Sequence, residues 1–261
     1  MTITGWRDWL RADGNHVRSW PVPLAALAIT SFAGLALLAT SAQAAPARAI
    51  GSTAVRPSQT LVTLFAPHRA LSKPAKGSAL RALVPARRPI TDVRTVLPVL
   101  AQRTGRGGLR WLRVRLSGRP NGRAGWIRRR ATLVSKTKWH LVINTSSRRV
   151  TAYWHGRRVR LFRAIVGNAS TPTPQGEFFV EESLKLSPRS VGAPFALALS
   201  ARSTVYQEFA GGPGQIALHG LNNVGGTLGT AVSHGCVRLN TTAMRWLAKR
   251  IAPGVPVTIT Q

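Results

Sequence analysis

The chain has 261 residues, of which 37 are Lys or Arg and seven are Asp or Glu, so its formal net charge at pH 7 is +30. Such an excess of positive charge indicates a partner rich in anionic groups, and the scarcity of carboxylates disfavours calcium and magnesium sites. Glu181 and Glu182 are adjacent in an apparent strand and are predicted to point to opposite faces, which disfavours the facing acid pair of a glycosidase.

The N-terminus has the layout of an export signal. An uncharged run, residues 21–40, follows a weakly positive start and leads to the small-x-small triplet Ala42-Gln43-Ala44. This order predicts a signal peptide over residues 1–44 that is cleaved after Ala44. The alternative is an uncleaved membrane anchor through residues 21–40, because the run approaches the roughly 20 residues that span a bilayer. Both interpretations predict that the rest of the chain is exported, to the periplasm or the cell wall.

The next segment, residues 45–90, is predicted to be a disordered tether. It is rich in Pro, Ala and Arg, lacks acidic residues and has one aromatic residue, Phe65. A segment of this composition buries too little apolar surface to offset the entropy lost on ordering. A spacer that crosses a wall layer would have these properties.

Residues 91–134 predict a small β module. Apolar residues alternate with arginines in "LRWLRVRL" (109–116), Asn121-Gly122 is a tight-turn pair, and "AGWIRRRATLV" (124–134) predicts another strand. The pattern, which includes "GWI", resembles bacterial SH3-like modules. The run of arginines at 128–130 is predicted to be a solvated edge rather than a nucleic-acid site.

Residues 135–261 predict a mostly β domain with one C-terminal helix. The helix is predicted near 242–251, where Met244, Leu247 and Ile251 recur at helical spacing, and its N-cap candidates are Asn240, Thr241 and Thr242. A glycine-rich loop precedes it. The predicted strands are "KWHLVIN", "RRVTAYWHG", "RRVRLFRAIVG", a strand from Glu177, "FALALS", "QIALHG" and "VPVTIT".

The single cysteine, Cys236, lies in "AVSHGCVRLN" at 231–240. Exported proteins usually pair their cysteines, and an unpaired one indicates an intermolecular bridge or a reactive thiol. The alternative is an inert buried cysteine that acts as a small hydrophobe. The polar and flexible neighbours Ser233, His234 and Gly235 argue against that alternative, so the sequence favours a reactive thiol.

Two histidines, His219 and His234, are candidate bases for this thiol. The thiolate is the reactive form, and an imidazole can accept its proton at neutral pH. No carboxylate lies in this part of the sequence, so a backbone carbonyl or a hydroxyl must orient the imidazole. Zinc bound by Cys236 and the two histidines is disfavoured, because this set provides three ligands at an unusual spacing. No metal and no cofactor is therefore predicted.

The motif "IALHG" followed by "SHGCVRL" resembles the signature of the L,D-transpeptidase (YkuD-like) catalytic domain of bacterial cell-wall enzymes. The upstream segments "TPTPQGEF" and "APFALALS" match as well, and the resemblance covers residues 139–260. The resemblance implies these roles: Cys236 as nucleophile, His219 as proton donor and acceptor, the Gly220 carbonyl as its orienter, Ser233 and His234 as groups that shape and polarise the site, and the N–H groups of Gly235 and Cys236 as an oxyanion hole.

The resemblance also implies a reaction. The thiolate attacks the L-centre carbonyl of the third residue of a tetrapeptide stem, D-alanine leaves, and an amine of another stem resolves the thioester as a 3→3 cross-link. Arg238 either pairs with a stem carboxylate or holds the loop. The implied partners are peptidoglycan stem peptides, with anionic cell-wall polymers nearby.

Alternative functions remain open on the same residues. An L,D-carboxypeptidase would use water in place of the acceptor amine to trim tetrapeptide stems, and a non-catalytic wall-binding protein would keep the motif without using it. A specific nucleic-acid partner is not expected, because the chain is predicted to be exported and lacks clusters of aromatic and basic residues.

Overall fold

The computed structural model describes residues 55–209 and 212–261, and Val55–Gln261 falls within one compact unit. The predicted signal peptide or anchor, residues 1–44, and the first part of the predicted tether, residues 45–54, lie outside the described residues. No helix in the described ranges is long and apolar enough to cross a bilayer.

The N-terminal half forms a seven-stranded sheet in the order β3-β2-β6-β5-β4-β1-β7. In β5, Leu112 and Val114 are buried while Arg113 between them is exposed, as the alternation predicts. The buried side chains form one cluster, which Phe179 of the C-terminal half also joins. The strands are β1 Gln59–Leu64, β2 His68–Leu71, β3 Leu80–Val84, β4 Val96–Thr104, β5 Arg110–Arg115, β6 Ala124–Arg128 and β7 Thr132–Thr137.

The segment 59–84 corrects the prediction of a disordered tether over 45–90, because it forms β1, β2 and β3. Leu61, Val62 and Leu64 of β1 are buried, and β1 pairs with both β4 and β7. The average composition of residues 45–90 does not reveal these few apolar residues, whose side chains are buried in the sheet. The module therefore begins near residue 59, and the SH3-like resemblance of 91–134, which lacks three of these strands, stays a prediction.

The C-terminal half is built on an eight-stranded sheet in the order β10-β9-β8-β17-β12-β13-β14-β16, with a two-stranded sheet of β11 and β15 beside it. This architecture confirms the predicted mostly β fold. The elements are β8 Trp139–Asn144, β9 Arg149–Trp154, β10 Arg157–Arg163, β11 Val166–Gly167, β12 Gly176–Lys185, β13 Phe195–Arg202, β14 Gln215–His219, β15 Ala231–Ser233, β16 Val237–Arg238, helix α1 Thr241–Ala248 and β17 Pro256–Thr260.

The C-terminal helix, α1, is the one α-helix in the described ranges. The Asn240 side chain accepts a hydrogen bond from the Ala243 N–H at 2.7 Å, so the predicted N-cap is confirmed. Met244 and Leu247 are buried against the eight-stranded sheet, and the helix contacts β13. The helix thereby fixes the chain that follows β16.

The adjacent acids of β12 do not point apart as predicted. The pairing of β12 with β13 shifts register between Val180 and Glu182, and both carboxylates converge on the guanidinium of Arg88. Arg88 forms an ion pair with Glu181, and its Nε lies 3.8 Å from Glu182 Oε1. Thr91 donates to Glu182 Oε2 from its N–H at 2.8 Å and its hydroxyl at 2.7 Å. Both acids are thus used where the two sheets join.

Candidate active site

A cavity of about 220 Å³ lies where β14 ends and β16 begins. These strands pair in parallel, with His219 opposite Arg238, so the two motifs separated in sequence meet at one sheet edge. Four of the sequence-predicted residues line this cavity: His219, His234, Cys236 and Arg238. The described ranges contain no group of three or more His, Cys, Asp or Glu side chains placed to hold a metal ion.

The His219 ring contacts the backbone carbonyl of the next residue. Its Nδ1 lies 2.8 Å from the carbonyl oxygen of Gly220, and since a carbonyl only accepts, Nδ1 carries the hydrogen and Nε2 is the basic nitrogen. Burial lowers the pKa of His219 from 6.5 to about 4; the bond to Gly220 opposes this shift, and the charge of Arg238 adds to it. The imidazole is therefore neutral near pH 7 and able to accept a proton.

The Cys236 thiol lies in an environment that favours its protonated form. Burial raises its pKa above the ordinary 9.0, while a hydrogen bond with the backbone of Ala217 and the charge of Arg238 act in the opposite direction. A protonated thiol beside a neutral imidazole is the resting arrangement. Proton transfer must therefore accompany attack on a substrate.

The turn that carries the thiol is held by hydroxyl groups. The buried Ser233 hydroxyl donates to the carbonyl of Cys236 at 2.6 Å and accepts from the N–H of Gly235 at 3.2 Å. Thr171 donates to the Ser233 carbonyl at 3.1 Å and Thr173 to the Gly235 carbonyl at 2.9 Å. Ser233 thus braces the turn from within. The oxyanion role of Gly235 stays a prediction, and its N–H would have to exchange this long bond for a substrate oxygen.

His234 lies on the rim of the cavity rather than in its floor. It is exposed, and its ring centroid lies 5.9 Å from that of Phe209 and 6.1 Å from that of Tyr206. Arg238 is partly buried, and its Nη1 makes one long contact of 3.5 Å with the Gly225 carbonyl. His234 therefore forms part of the cavity rim, and the charge of Arg238 acts on both the thiol and the imidazole.

Sequence reasoning missed Gly192, which packs directly against the His219 imidazole. Its φ is +79°, and a Cβ at this position would lie 2.5 Å from His219 Nδ1. The Gly192 carbonyl also accepts the N–H of Gly220 at 2.7 Å. Nothing in the local sequence signals this role, because Gly192 reaches the site through a loop distant in sequence.

Gly192→Ala is expected to lower kcat/KM by about 10²-fold, because the added methyl displaces His219 from its bond to Gly220, and misplacement by about 1 Å can cost that much. The measurement is steady-state kinetics with a tetrapeptide substrate. Gly77→Ala is the matched control, since Gly77 has φ +78° and open space around its missing Cβ. Equal losses in both variants would assign the effect to backbone strain instead of the imidazole.

The pH dependence of kcat/KM is expected to follow the pKa values of His219 and Cys236. We expect kcat/KM to fall in acid with a midpoint near pH 4, because protonation of His219 removes the base, and to stay level until the pH approaches the raised pKa of Cys236 above 9. Alkylation of Cys236 by iodoacetamide at pH 7 should be slow, as for a protonated thiol. An acid midpoint near 6.5, together with fast alkylation, would show a thiolate–imidazolium pair instead.

The N-terminal sheet also contributes to the wall of the cavity. Asn121, between β5 and β6, donates to the Arg202 carbonyl at 2.8 Å and accepts from its N–H at 2.9 Å. Its neighbour Arg119 donates to carbonyl oxygens of the segment that carries Tyr206 and Phe209. The acceptors are Ser203 at 3.1 Å, Tyr206 at 2.5 Å, Gln207 at 3.5 Å and Pro213 at 3.0 Å.

Arg119→Ala is expected to raise KM for a tetrapeptide by about tenfold with a smaller change in kcat, because it loosens the cavity wall while leaving Cys236 and His219 in place. Arg119→Lys should restore only part of the loss, since an ammonium cannot reach four carbonyl oxygens with one planar group. Arg130→Ala is the control, because Arg130 is an exposed arginine in the turn between β6 and β7. A KM unchanged in Arg119→Ala would remove this role.

The residues that line the cavity lie within a match to a known family. Residues 138–259 match the model of the family described as the L,D-transpeptidase catalytic domain, YkuD. The chain is 30% identical over 122 residues to the putative L,D-transpeptidase YkuD of Bacillus subtilis, and the match covers 46% of this chain and 65% of that protein. A putative YkuD of Bacillus licheniformis is also 30% identical, over 123 residues, 47% of this chain and 66% of that protein. The chain thus spans slightly less than two thirds of each relative.

Solved structures give a further likeness. A crystal structure of an L,D-transpeptidase from Mycobacterium tuberculosis aligns with a TM-score of 0.42 and 16% identity, and covers 76% of this chain and 96% of that one. L,D-transpeptidase 3 from the same organism, in complex with a faropenem-derived adduct, aligns with a TM-score of 0.41 and 16% identity over 64% of this chain and 91% of that one.

Proposed function

On the premise that residues 138–259 are an L,D-transpeptidase catalytic domain of the YkuD family, we propose that this chain cross-links peptidoglycan stem peptides 3→3 through a thioester on Cys236, with release of D-alanine. The observation that supports this proposal most is the orientation of His219, whose Nδ1 is held by the Gly220 carbonyl so that Nε2 serves as the base, in the cavity that Cys236 lines.

In the first half-reaction, His219 takes the proton from the Cys236 thiol as the sulfur attacks the carbonyl carbon of the third stem residue. The tetrahedral oxyanion is stabilised by the N–H groups of Gly235 and Cys236. Collapse breaks the C–N bond, and His219 returns its proton to the departing amine of D-alanine. The product is a thioester between Cys236 and the tripeptide stem.

In the second half-reaction, an amine of another stem attacks the thioester carbonyl. His219 accepts a proton from this amine and gives one back to the sulfur, so Cys236 is regenerated as a thiol and a new amide remains. If water takes the place of the amine, the product is a free tripeptide. The carboxypeptidase alternative therefore differs in the acceptor and not in the residues.

The proposal also includes a role for the positive charge of the chain and a location outside the cytoplasm. Arg238 lines the cavity, and we propose that its guanidinium receives the terminal carboxylate of a stem and that the net charge of +30 attracts the chain to anionic wall polymers. The substrate lies outside the cytoplasm, so we propose that the chain acts in the periplasm or cell wall after export through residues 1–44. Anchoring through residues 21–40 would hold it at the membrane.

The test is mass spectrometry of a tetrapeptide muropeptide incubated with the purified chain. Loss of D-alanine together with a cross-linked dimer supports the transpeptidase. Loss of D-alanine with accumulation of monomeric tripeptide identifies a carboxypeptidase. No change in the substrate, combined with binding to intact wall, would identify a non-catalytic wall-binding protein.

A further inference from the structure

Two neighbouring cavities lie on one face of the N-terminal sheet, away from the candidate active site. The first, about 330 Å³, has Arg113 and Trp126 in its wall, which are directly opposed across β5 and β6. The second, about 710 Å³, has Trp111 in its wall. Trp111 and Arg113 are two residues apart on β5 and share a face of the sheet, so the cavities adjoin. We call the two together the module groove.

The module groove is cationic along its length. Its lining includes five cationic side chains, Lys76, Arg81, Arg106, Arg113 and Arg123, and no carboxylate. The ion pairs within residues 55–209 and 212–261 involve other arginines, so the described acids do not neutralise these five. The Arg123 Nε is moreover buried without a hydrogen-bond partner in the described part of the chain. This arrangement provides donors for an anionic ligand.

One turn connects the module groove with a wall of the active-site cavity. The turn that contains Pro120, Asn121 and Gly122 lines the groove. The same turn holds the segment that carries Tyr206, through Arg119 and Asn121. A ligand long enough to fill the groove would therefore extend toward the cavity that Cys236 lines.

We propose that the module groove binds an anionic carbohydrate polymer, and this inference rests on the proposed function in the wall. Arg113 and the half-buried Trp126 are cross-strand partners that line the same cavity, and a cation together with an aromatic surface suits a sugar that bears an acidic group. Single-stranded nucleic acid requires several exposed rings for stacking, whereas Trp111 is 2% exposed. Carboxylates and phosphodiesters share the required chemistry, and the experiment separates them.

The experiment measures binding of the full chain to four probes at fixed salt: polygalacturonate, a glycerol-phosphate teichoic acid, neutral dextran and a single-stranded DNA oligonucleotide. The test variant carries Arg81→Gln, Arg106→Gln and Arg113→Gln, all exposed and outside the catalytic machinery. The control variant removes the same charge from the exposed edge strand β10, by Arg157→Gln, Arg158→Gln and Arg160→Gln. Any general effect of net charge is equal in both.

The expected result is a loss of affinity of about tenfold or more in the groove variant and less than about threefold in the control, with no binding of dextran. Whichever anionic probe shows the larger difference identifies carboxylate or phosphodiester as the preferred group. Equal losses in both variants, or tighter binding of a single-stranded DNA oligonucleotide, would overturn the proposal.

Measurement of D-alanine release from a short tetrapeptide distinguishes failure of the groove proposal from failure of the proposed function. The groove variant should release it at the rate of the unsubstituted chain, because the short substrate does not reach the groove. If the unsubstituted chain releases no D-alanine while the groove still binds the polymer selectively, the proposed function is wrong and the proposal of polymer binding is supported.

Discussion

Cys236→Ala is expected to reduce D-alanine release and dimer formation by at least about 10³-fold, since no other thiol exists in the chain to form the thioester. His219→Gln should produce a loss of similar size, because the thiol is protonated at pH 7 and needs the buried imidazole to remove its proton. The double variant should be no worse than either single one, because the two side chains act in one step. The measurement is the mass-spectrometric assay under initial-rate conditions.

His234→Gln is the matched control for these variants. His234 is also a histidine of the cavity, but it packs on the rim against Tyr206 and Phe209, so a loss of less than about tenfold is expected. A loss in His234→Gln as large as that in His219→Gln would exchange the roles of the two histidines. Circular dichroism and thermal melting of each variant establish that the fold is retained.

Arg88→Ala is expected to lower the free energy of unfolding by about 3–5 kcal/mol, because it removes the cation on which two buried carboxylates converge. The side chain of Arg88 is 9% exposed, and those of Glu181 and Glu182 are 1% exposed, so water does not replace the lost partner. Urea unfolding followed by tryptophan fluorescence measures the change.

The neighbouring residue supplies the control. Arg87 pairs with Asp92 at 3.0 Å, but the two side chains are 50% and 79% exposed, so Arg87→Ala should cost less than about 1 kcal/mol. A similar small cost for Arg88→Ala would mean that Arg202 and Gln215, which also contact Glu181, are sufficient to hold the buried charges.

Cys236 and His219 could be identified from the sequence as candidate site residues because their signals are local. Cys236 sits in a short motif with polar neighbours, and His219 ends a strand whose pattern is strong. Gly192 and Arg119 carried no such signal, because each acts through contacts made across long stretches of chain. A residue that positions a site from another element is visible only when the fold brings the elements together.

The segment 59–84 was missed for a different reason. Its composition is that of a spacer, and disorder was inferred from the average over 45–90. A short strand that pairs on both sides needs few apolar side chains. The strand β1 pairs with β4 and β7, and its Leu61, Val62 and Leu64 are buried. The bulge of β12 was also not predictable from the sequence, since strand periodicity alone predicts that adjacent acidic side chains point to opposite faces of the sheet.

The contacts of Glu181 and Glu182 with Arg88 also determine where the chain can be truncated for expression. An expression boundary drawn at the start of the family match would discard Arg88 and Thr91, the groups that satisfy Glu182 from the other sheet. The shortened chain would keep Arg202 and Gln215 on Glu181 but would leave Glu182 buried without Arg88 and Thr91. The C-terminal half is therefore expected to be less stable when it is expressed alone, and a truncated form should begin ahead of β1.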